Sequence, residues 1–373
     1  MKKKRDKETE EIEKEKIDHK LQLMEKPFDP TKIKIETKTP SLDTLIRRIQ
    51  KETVMLNTES YFQRKDDLWD AVKQSRLIES ILIQFPLPAF FFDATNDDKW
   101  LVVDGLQRLS SIRNFAVKKS LTLTNLEFLT QLNGKKWDDL GDLQRIIEEA
   151  QVVIHKIMPG TPTDVKFNIF KRINTGGLVL ESQEIRHALF QGKPAEFIAK
   201  LAQTKEFTDA TSNKIKTHRM LDRDFANRFL CFYLLGYDGE YNSDLDTYMS
   251  KAMAIINEKT NVELNKILDD FKESMKLAKS IFGDYAFRKF KKKGYAPINK
   301  AIFDAISVQF AFLTEKQREL LIKKKEIFTR SLQELLKNDD TFVSSVSTST
   351  NSKVKVSYRH KAIIRLIKDA IGI

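Results

Sequence analysis

KWLVVDGLQRLSSIRNF, residues 99–115, joins an apolar run to a helical pattern through a short polar turn. The run WLVV predicts a buried strand, and the apolar residues of LQRLSSIRNF recur at helical spacing. Asp104, Gly105, Gln107 and Arg108 lie at the junction. The sequence therefore predicts a strand that delivers a carboxylate, a glycine, an amide and a guanidinium to the start of a helix.

This junction has the chemistry of a phosphate-binding turn. The first N–H groups of a helix have no partner within the helix, and the helix dipole makes that end electropositive. Gly105 allows a sharp turn and close approach of an anion, and Arg108 adds a fork of donors that suits phosphate oxygens. Asp104 could orient Arg108, bind a metal or position a water. The alternative is a purely structural turn, in which Asp104 caps the helix and pairs with Arg108.

Composition predicts a folded cytoplasmic protein. The chain has 373 residues, 41% of them hydrophobic, which is enough for two domains with sizeable cores. Cys231 lies in an apolar run and is predicted to be a core residue. Because it is the single cysteine of the sequence, an internal disulfide framework and a cysteine zinc site are excluded. The start of the sequence lacks the apolar region of a signal peptide, and no apolar stretch is long enough to predict a membrane span.

The pattern along the chain predicts three regions. Residues 1–36 form a charged flexible N-terminal tail, residues 37–205 a domain of mixed strands and helices, and residues 206–373 a mostly helical basic domain. Ser41 is the predicted N-cap of one helix, and Asp66 or Asp67 that of the next. AFFFDA and WLVVDG are predicted to pair as a hairpin. KVKVSYR, residues 353–359, has the alternation of a strand.

Two further stretches concentrate donors. YFQRKDDLW carries Gln63 and Arg64 before a predicted helix, and FKRINTGG carries Arg172 and Asn174 where a helix ends at two glycines. Each stretch also has a structural interpretation, because tryptophan is usually a core residue and cations are common at helix C-termini.

Taken together, the three stretches resemble the N-terminal domain family of GmrSD-type modification-dependent restriction endonucleases. That family shows Gln-Arg before an aromatic residue and Trp, then hDGQQRL, then F.R.N..G..L...E...A, and the resemblance covers roughly residues 40–192 of this chain. Leu106 stands where the family has its first Gln. The matching residues are Gln63, Arg64, Trp69, Val103, Asp104, Gly105, Gln107, Arg108, Leu109, Phe170, Arg172, Asn174, Gly177, Leu180, Glu184 and Ala188.

The resemblance implies an α+β fold with a ParB/sulfiredoxin-like N-terminal domain, in which such a turn binds nucleotide phosphates. It also implies an NTP with Mg²⁺ as ligand, possible NTP hydrolysis, and a role in defence against phage with modified DNA. Asp104 and Arg108 are then the candidate catalytic residues. The implied nucleotide or phosphate contacts are Gly105, Gln107, Arg108, Gln63, Arg64, Arg172 and Asn174.

Several features narrow this function. The sequence has no P-loop motif and, with five histidines, no His-Asn-His nuclease constellation or metal site, so any DNA cleavage is expected from a partner nuclease. From residue 287 to the end, 19 Lys and Arg face 8 Asp and Glu, a balance of +11 that predicts DNA binding. Lys291, Lys292 and Lys293 are the candidate DNA contacts. The alternative for this region is an ordinary lysine-rich surface.

Two classes of function remain open from the sequence. The first is a nucleotide-binding component of an anti-phage restriction system, either with or without NTP hydrolysis. The second is a non-enzymatic DNA-binding module or scaffold, in which the same turn grips a DNA phosphate.

Overall fold

The strand and the helix around Asp104 both form in the computed structural model, which describes residues 12–13, 30–56, 69–173, 180–291 and 296–373. The chain divides into two compact units. Phe28–Leu189 is a mixed unit built on a sheet, and Phe190–Ile373 is a helical unit that also includes Met1–Pro27. The predicted α+β class with a helical C-terminal region is confirmed.

The described part of the sheet unit contains five strands and six α-helices. The strands are β1 (Ile35–Lys38), β2 (Val54–Met55), β3 (Phe90–Asp93), β4 (Trp100–Asp104) and β5 (Ile154–Ile157). The helices are α1 (Leu42–Gln50), α2 (Ala71–Leu82), α3 (Leu106–Ile112), α4 (Leu143–Glu149), α5 (Thr163–Ile173) and α6 (Ser182–Leu189). A π-helical turn, Arg113–Val117, directly continues α3.

The strands form a mixed sheet in the order β1-β5-β3-β4-β2. β3 and β4 are antiparallel and form the predicted hairpin, with Asp104 opposite Phe91. β5 is parallel to β3 and antiparallel to β1, so it lies between the two. Because β3 and β4 run in opposite directions, Asp104 lies at the end of the sheet where β3 begins.

Helices cover both faces of this sheet. Phe90, Phe92 and Trp100 point to one face and pack in a core with residues of α1, α2, α3 and α4. Leu101 and Val103 point to the other face and pack with residues of α5 and α6. Side chains of a strand alternate between the two faces of its sheet, so the successive residues of β4 contribute to two separate cores.

Local patterns predict most of these elements, with one correction at a helix cap. Ser41 is the N-cap of α1, as predicted. For α2 the prediction of Asp66 or Asp67 is wrong, because the helix begins later: Asp70 is its N-cap, and the Asp70 carboxylate accepts a hydrogen bond from the backbone N–H of Lys73 at 2.8 Å. Asp66 and Asp67 themselves lie outside the described residues.

The described part of the helical unit contains ten α-helices. They are α7 (Lys193–Ala202), α8 (Lys205–Ala210), α9 (Leu221–Leu235), α10 (Leu245–Glu258), α11 (Asn261–Phe282), α12 (Lys300–Ala311), α13 (Glu315–Lys323), α14 (Lys325–Asn338), α15 (Asp340–Ser345) and α16 (Lys353–Ile371). α12 is buried on all sides from its second residue onward and packs against α9, α11 and α16, so it is the central helix of the unit.

A buried cluster of charged side chains links α12 to α9 and α16. Asp304 of α12 is fully buried and accepts hydrogen bonds from Arg359 at 2.9 Å and from Arg228 at 3.0 Å. Burial alone would raise the pKa of Asp304, but the two arginines outweigh burial and hold the pKa below its usual value. Burial lowers the pKa of the neighbouring His360 to about 3, so this imidazole is neutral at physiological pH. Cys231 is buried, as predicted.

The stretch KVKVSYR is helical rather than extended. It forms the start of α16, where Ser352 is the N-cap. Val356, His360 and Ile363 are buried at helical spacing, whereas Val354 is 76% exposed. The alternation over seven residues is therefore a coincidence of composition, and the burial of one face against α12 decides the conformation.

The structure also differs from the predicted regions at their boundaries. The division between the units falls after Leu189 rather than after residue 205, because α7 packs against α9 and α10. Ile35 and Glu36, placed in the flexible tail, belong to β1. Ile12, also placed there, forms a backbone bridge with Ile298. Within the described ranges, no helix combines the length and the apolar character needed to cross a membrane.

Candidate functional site

The junction between β4 and α3 has the predicted strand–turn–helix geometry. β4 ends at Asp104, whose side chain is 28% exposed, and α3 begins at Leu106. Gly105 between them is the N-cap of α3 and has φ +98°, a conformation that residues with a side chain rarely adopt. A half-exposed carboxylate thus lies beside the electropositive start of a short helix.

The requirement for glycine at this turn comes from the protein's own packing. A Cβ atom on Gly105 would lie 2.4 Å from Cδ1 of Phe90 and 3.2 Å from Nη2 of Arg108. The side of the turn that a Cβ would fill is therefore occupied by an aromatic ring and a guanidinium. An anion at this turn has to approach from the opposite side of the Gly105 backbone.

Arg108 is turned into the protein. It is 9% exposed, and its guanidinium lies over the ring of Phe90, with Cζ 4.4 Å from the ring centroid. Nη2 donates to Oδ2 of Asp104 at 2.9 Å and to the carbonyl of Ala89 at 3.1 Å, and Nη1 donates to the carbonyl of Pro88. Burial lowers the pKa of Arg108, and the Asp104 carboxylate opposes that shift. The ion pair of the structural alternative is present, but its capping role for Asp104 is wrong, because Gly105 is the N-cap of α3. A phosphate contact of Arg108 stays a prediction.

Gln107 connects the turn to the segment that precedes α2. Its Oε1 accepts a hydrogen bond from the backbone N–H of Trp69 at 3.1 Å. Gln74 donates to the carbonyl of Trp69 at 2.6 Å and accepts from Nδ2 of Asn114 at 3.0 Å. Gln74 and Asn114 were not predicted from the sequence, since isolated amides on two helices carry no local signal of pairing. The Gln107 side chain is therefore held by the backbone of Trp69, and its contact with phosphate stays a prediction.

The other predicted contacts are only partly within the described residues. Gln63, Arg64 and Asn174 lie outside them. Arg172 is exposed on the last turn of α5. α5 begins near the C-terminal end of β3, where Nζ of Lys166 contacts Oδ2 of Asp93 at 3.0 Å. α5 and α3 cover opposite faces of the sheet.

The basic region is less charged at its surface than its sequence suggests. Arg288 and Arg359 are buried, and Lys300 is paired with Asp224 at 2.8 Å. Lys291 is exposed, whereas Lys292 and Lys293 lie outside the described residues. An exposed lysine run, residues 323–325, joins α13 to α14 between the half-exposed Ile322 and Ile327. The lysine-rich surface and the DNA-binding surface both remain compatible with this arrangement.

The described residues contain no group of three or more His, Cys, Asp or Glu side chains that could hold a metal ion by itself. Asp104 is a single carboxylate at the turn. Mg²⁺ in nucleotide sites is commonly held by one or two carboxylates together with phosphate oxygens and waters, so one carboxylate fits a metal that arrives with a nucleotide.

Comparison with known proteins finds one family that is similar to the sheet unit. Residues 42–191 match the family model described as GmrSD restriction endonuclease, N-terminal domain. This match confirms the resemblance noted in the sequence. The match covers about two fifths of the chain and ends where the helical unit begins. No curated protein and no solved structure matches the chain.

Proposed function

We propose that this chain is a nucleotide-binding component of a prokaryotic restriction system directed against phage DNA, and that the nucleotide phosphates bind at the β4–α3 turn. The observation that carries the proposal is the half-exposed Asp104 carboxylate beside the first N–H groups of α3. The family of residues 42–191 supports a role in restriction. We further propose that the sheet unit has the ParB/sulfiredoxin-like fold and that DNA binds to the helical unit.

The residues of the turn would divide the work. Backbone N–H groups at the start of α3 would donate to phosphate oxygens. Asp104 would hold Mg²⁺ that arrives with the NTP, and a bound Mg²⁺ offsets the negative charge of the phosphates. Arg108 would act as a positioning residue, because its ion pair fixes the direction of the Asp104 carboxylate. Gln63, Arg64, Arg172 and Asn174 are the proposed additional phosphate contacts. A separate nuclease would cut the DNA.

A second candidate function is a non-enzymatic module that grips a DNA phosphate at the same turn. The observation that favours it is the burial of Arg108. Its guanidinium already donates hydrogen bonds to Asp104 and to two backbone carbonyls, so fewer N–H groups are left to bind a transferring phosphoryl group. In this case the turn binds DNA with the same affinity in the presence and absence of nucleotide, and no phosphate is released.

The proposal is tested by calorimetric titration of NTP into the wild type and Asp104→Asn, with and without Mg²⁺. We expect Asp104→Asn to lose about tenfold or more of the Mg²⁺-dependent affinity, whereas binding without metal stays equal or improves, because a negative charge beside the phosphates is removed. Asp97→Asn is the matched control. Asp97 lies just before the first residue of β4, Trp100, and its Oδ1 accepts a hydrogen bond from Nε1 of Trp100 at 3.2 Å. Equal Mg²⁺ dependence in the wild type and Asp104→Asn would contradict the proposal.

A further inference from the structure

Ile12 and Glu13 of the N-terminal region form backbone contacts with the helical unit in the manner of paired strands. Ile12 forms a parallel bridge with Ile298, and the backbone N–H of Glu13 donates to the carbonyl of Ile298 at 2.9 Å. Arg288 pairs with Ile298 in the antiparallel direction. Ile298 therefore lies between two extended segments, one of which comes from the start of the chain. Addition of a strand to an exposed edge is a common mode of peptide recognition.

The Glu13 side chain is held as specifically as its backbone. Oε1 accepts from Nζ of Lys289 at 2.6 Å, and Oε2 accepts from Nδ2 of Asn299 at 3.0 Å. Both carboxylate oxygens are thus bound, one by a cation and one by an amide. The Glu13 and Lys289 side chains are 28% and 24% exposed, so their ion pair is partly shielded from water.

The donors that hold Glu13 are fixed by the helical unit itself. Asn299 is the N-cap of α12, and its Oδ1 accepts from the backbone N–H of Ile302 at 2.8 Å. Its Nδ2 also donates to the carbonyl of Val346 at 2.7 Å. Lys289 likewise donates to Oγ of Ser347 at 2.8 Å. Two groups that are already positioned by α12 and by the end of α15 form a carboxylate site that does not depend on the arriving peptide.

We propose that Arg288, Lys289, Ile298 and Asn299 form a docking slot for an extended peptide in which an apolar residue precedes a glutamate, and that its occupant is the chain's own N-terminal segment. The sequence around Glu13 is rich in glutamate, with Glu8, Glu10, Glu11 and Glu15 nearby. On the proposed DNA-binding role of the helical unit, the docked segment competes with DNA, because it neutralises Lys289 two residues from Lys291.

The slot is tested in the full chain by charge reversal and rescue. Glu13→Lys, Lys289→Glu and the double variant are compared by hydrogen exchange of the peptide that contains the Glu13 amide. We expect each single variant to exchange about tenfold faster, since a hydrogen bond to a charged group is lost, and the double variant to regain most of the protection. Glu10→Lys, with the same change of charge, is the control and should leave the exchange unchanged.

The result has three other outcomes. Equal exchange in the wild type and Glu13→Lys, or no rescue in the double variant, overturns the slot. Protection that falls on dilution identifies the occupant as the segment of a second copy, which overturns docking within one chain. Protection that is lost when an excess of a peptide in which an apolar residue precedes a glutamate is added supports the slot, because that peptide displaces the segment.

The competition with DNA is measured separately. We expect Glu13→Gln to bind duplex DNA more tightly and to steepen the plot of log affinity against log salt by up to about one unit, because Lys289 becomes available for one phosphate. Glu10→Gln should change neither quantity. If the exchange data support the slot and the DNA data show no change, the slot stands and DNA binding by this region is wrong.

Discussion

Gly105 shows how a single residue can be required for the fold and still lie at a candidate site. Its φ of +98° and the ring of Phe90 leave no room for a side chain. From the sequence, the requirement for glycine here was attributed to the close approach of an anion. In the structure the requirement comes from the contact with Phe90. A phosphate-binding role for the turn therefore cannot be inferred from the glycine alone, and Asp104 carries more of the functional argument.

We expect Gly105→Ala to destabilise the sheet unit by roughly 2–4 kcal/mol, which combines the cost of a left-handed backbone with that of overpacking against Phe90. Gly134→Ala is the matched control, because Gly134 has φ +84° and a Cβ added there would have no atom within 4 Å. The control should lose only about 1–2 kcal/mol. Urea denaturation measures both, and equal losses would show that contact with Phe90 has little effect.

Arg108 illustrates the difference between a buried and an exposed ion pair. We expect Arg108→Ala to lower the free energy of unfolding by roughly 3–5 kcal/mol, since it leaves Asp104 and two carbonyls without their donor. Arg145→Ala is the control: Arg145 pairs with Glu149 at 2.7 Å, also four residues apart, but at the surface. Its loss should have little measurable effect on the free energy of unfolding, because both side chains of the pair are exposed to solvent. Similar melting temperatures for the two variants would contradict this expectation.

At the scale of elements, a carboxylate on α2 fixes a neighbouring loop. Glu79 is 3% exposed and accepts hydrogen bonds from the backbone N–H groups of Phe128 at 2.7 Å, Leu129 at 2.8 Å and Glu127 at 3.0 Å. Burial by itself raises the pKa of Glu79, but the three N–H donors outweigh burial and leave the pKa below its usual value. The folded state therefore favours the ionised carboxylate.

The pKa of Glu79 predicts a loss of stability in acid. Because the folded-state pKa lies below the unfolded value, the stabilisation is complete above about pH 4.5 and disappears as the pH falls through the folded-state pKa. We expect Glu79→Gln to cost about 1–3 kcal/mol at pH 7, with a difference from the wild type that shrinks below about pH 4.5. Denaturation at several pH values measures this, with Glu148→Gln as the control. A difference that is constant with pH would contradict the role of the charge.

Elements defined by local patterns were predictable, and those defined by distant partners were not. α1 and the β3–β4 hairpin follow from apolar spacing and turn residues within a few positions. The start of α16 has the alternation of a strand and is nevertheless helical, because its burial depends on α12, about 50 residues earlier. The partners of Arg108 were equally hidden, since backbone carbonyls at positions 88 and 89 leave no trace in the sequence.

At the scale of the whole molecule, only part of the positive charge behind the net charge of +12 is free to bind an anionic partner. Arg228 and Arg359 donate hydrogen bonds to the buried Asp304, and several lysines already form ion pairs with carboxylates. Counting cations along the sequence therefore overestimates the charge that DNA would meet. Exposed lysines are a better guide, and within the described residues they include Lys291 and the run at residues 323–325.

We expect replacement of Lys291, Lys292 and Lys293 with Gln to flatten the plot of log DNA affinity against log salt by up to about three units, at slightly under one per lost phosphate contact. All DNA sequences should be affected alike, because phosphate contacts carry no sequence information. The matching replacement of residues 323–325 shows which lysine run contacts DNA. If neither triple variant changes the slope, the helical unit has a lysine-rich surface that does not bind DNA.

The position of β5 between β1 and β3 determines when the sheet can be completed. The hairpin of β3 and β4 needs residues 90–104 only, whereas β1 has Ile157 as the partner of its Ile35. During synthesis, about 50 residues separate the end of β4 from the start of β5, the strand that joins β1 to the hairpin. β1 and the hairpin are therefore both made well before they can pair with β5. Such a long closure favours slow folding and exposes two strand edges in the nascent chain, where binding by a chaperone would protect them from aggregation.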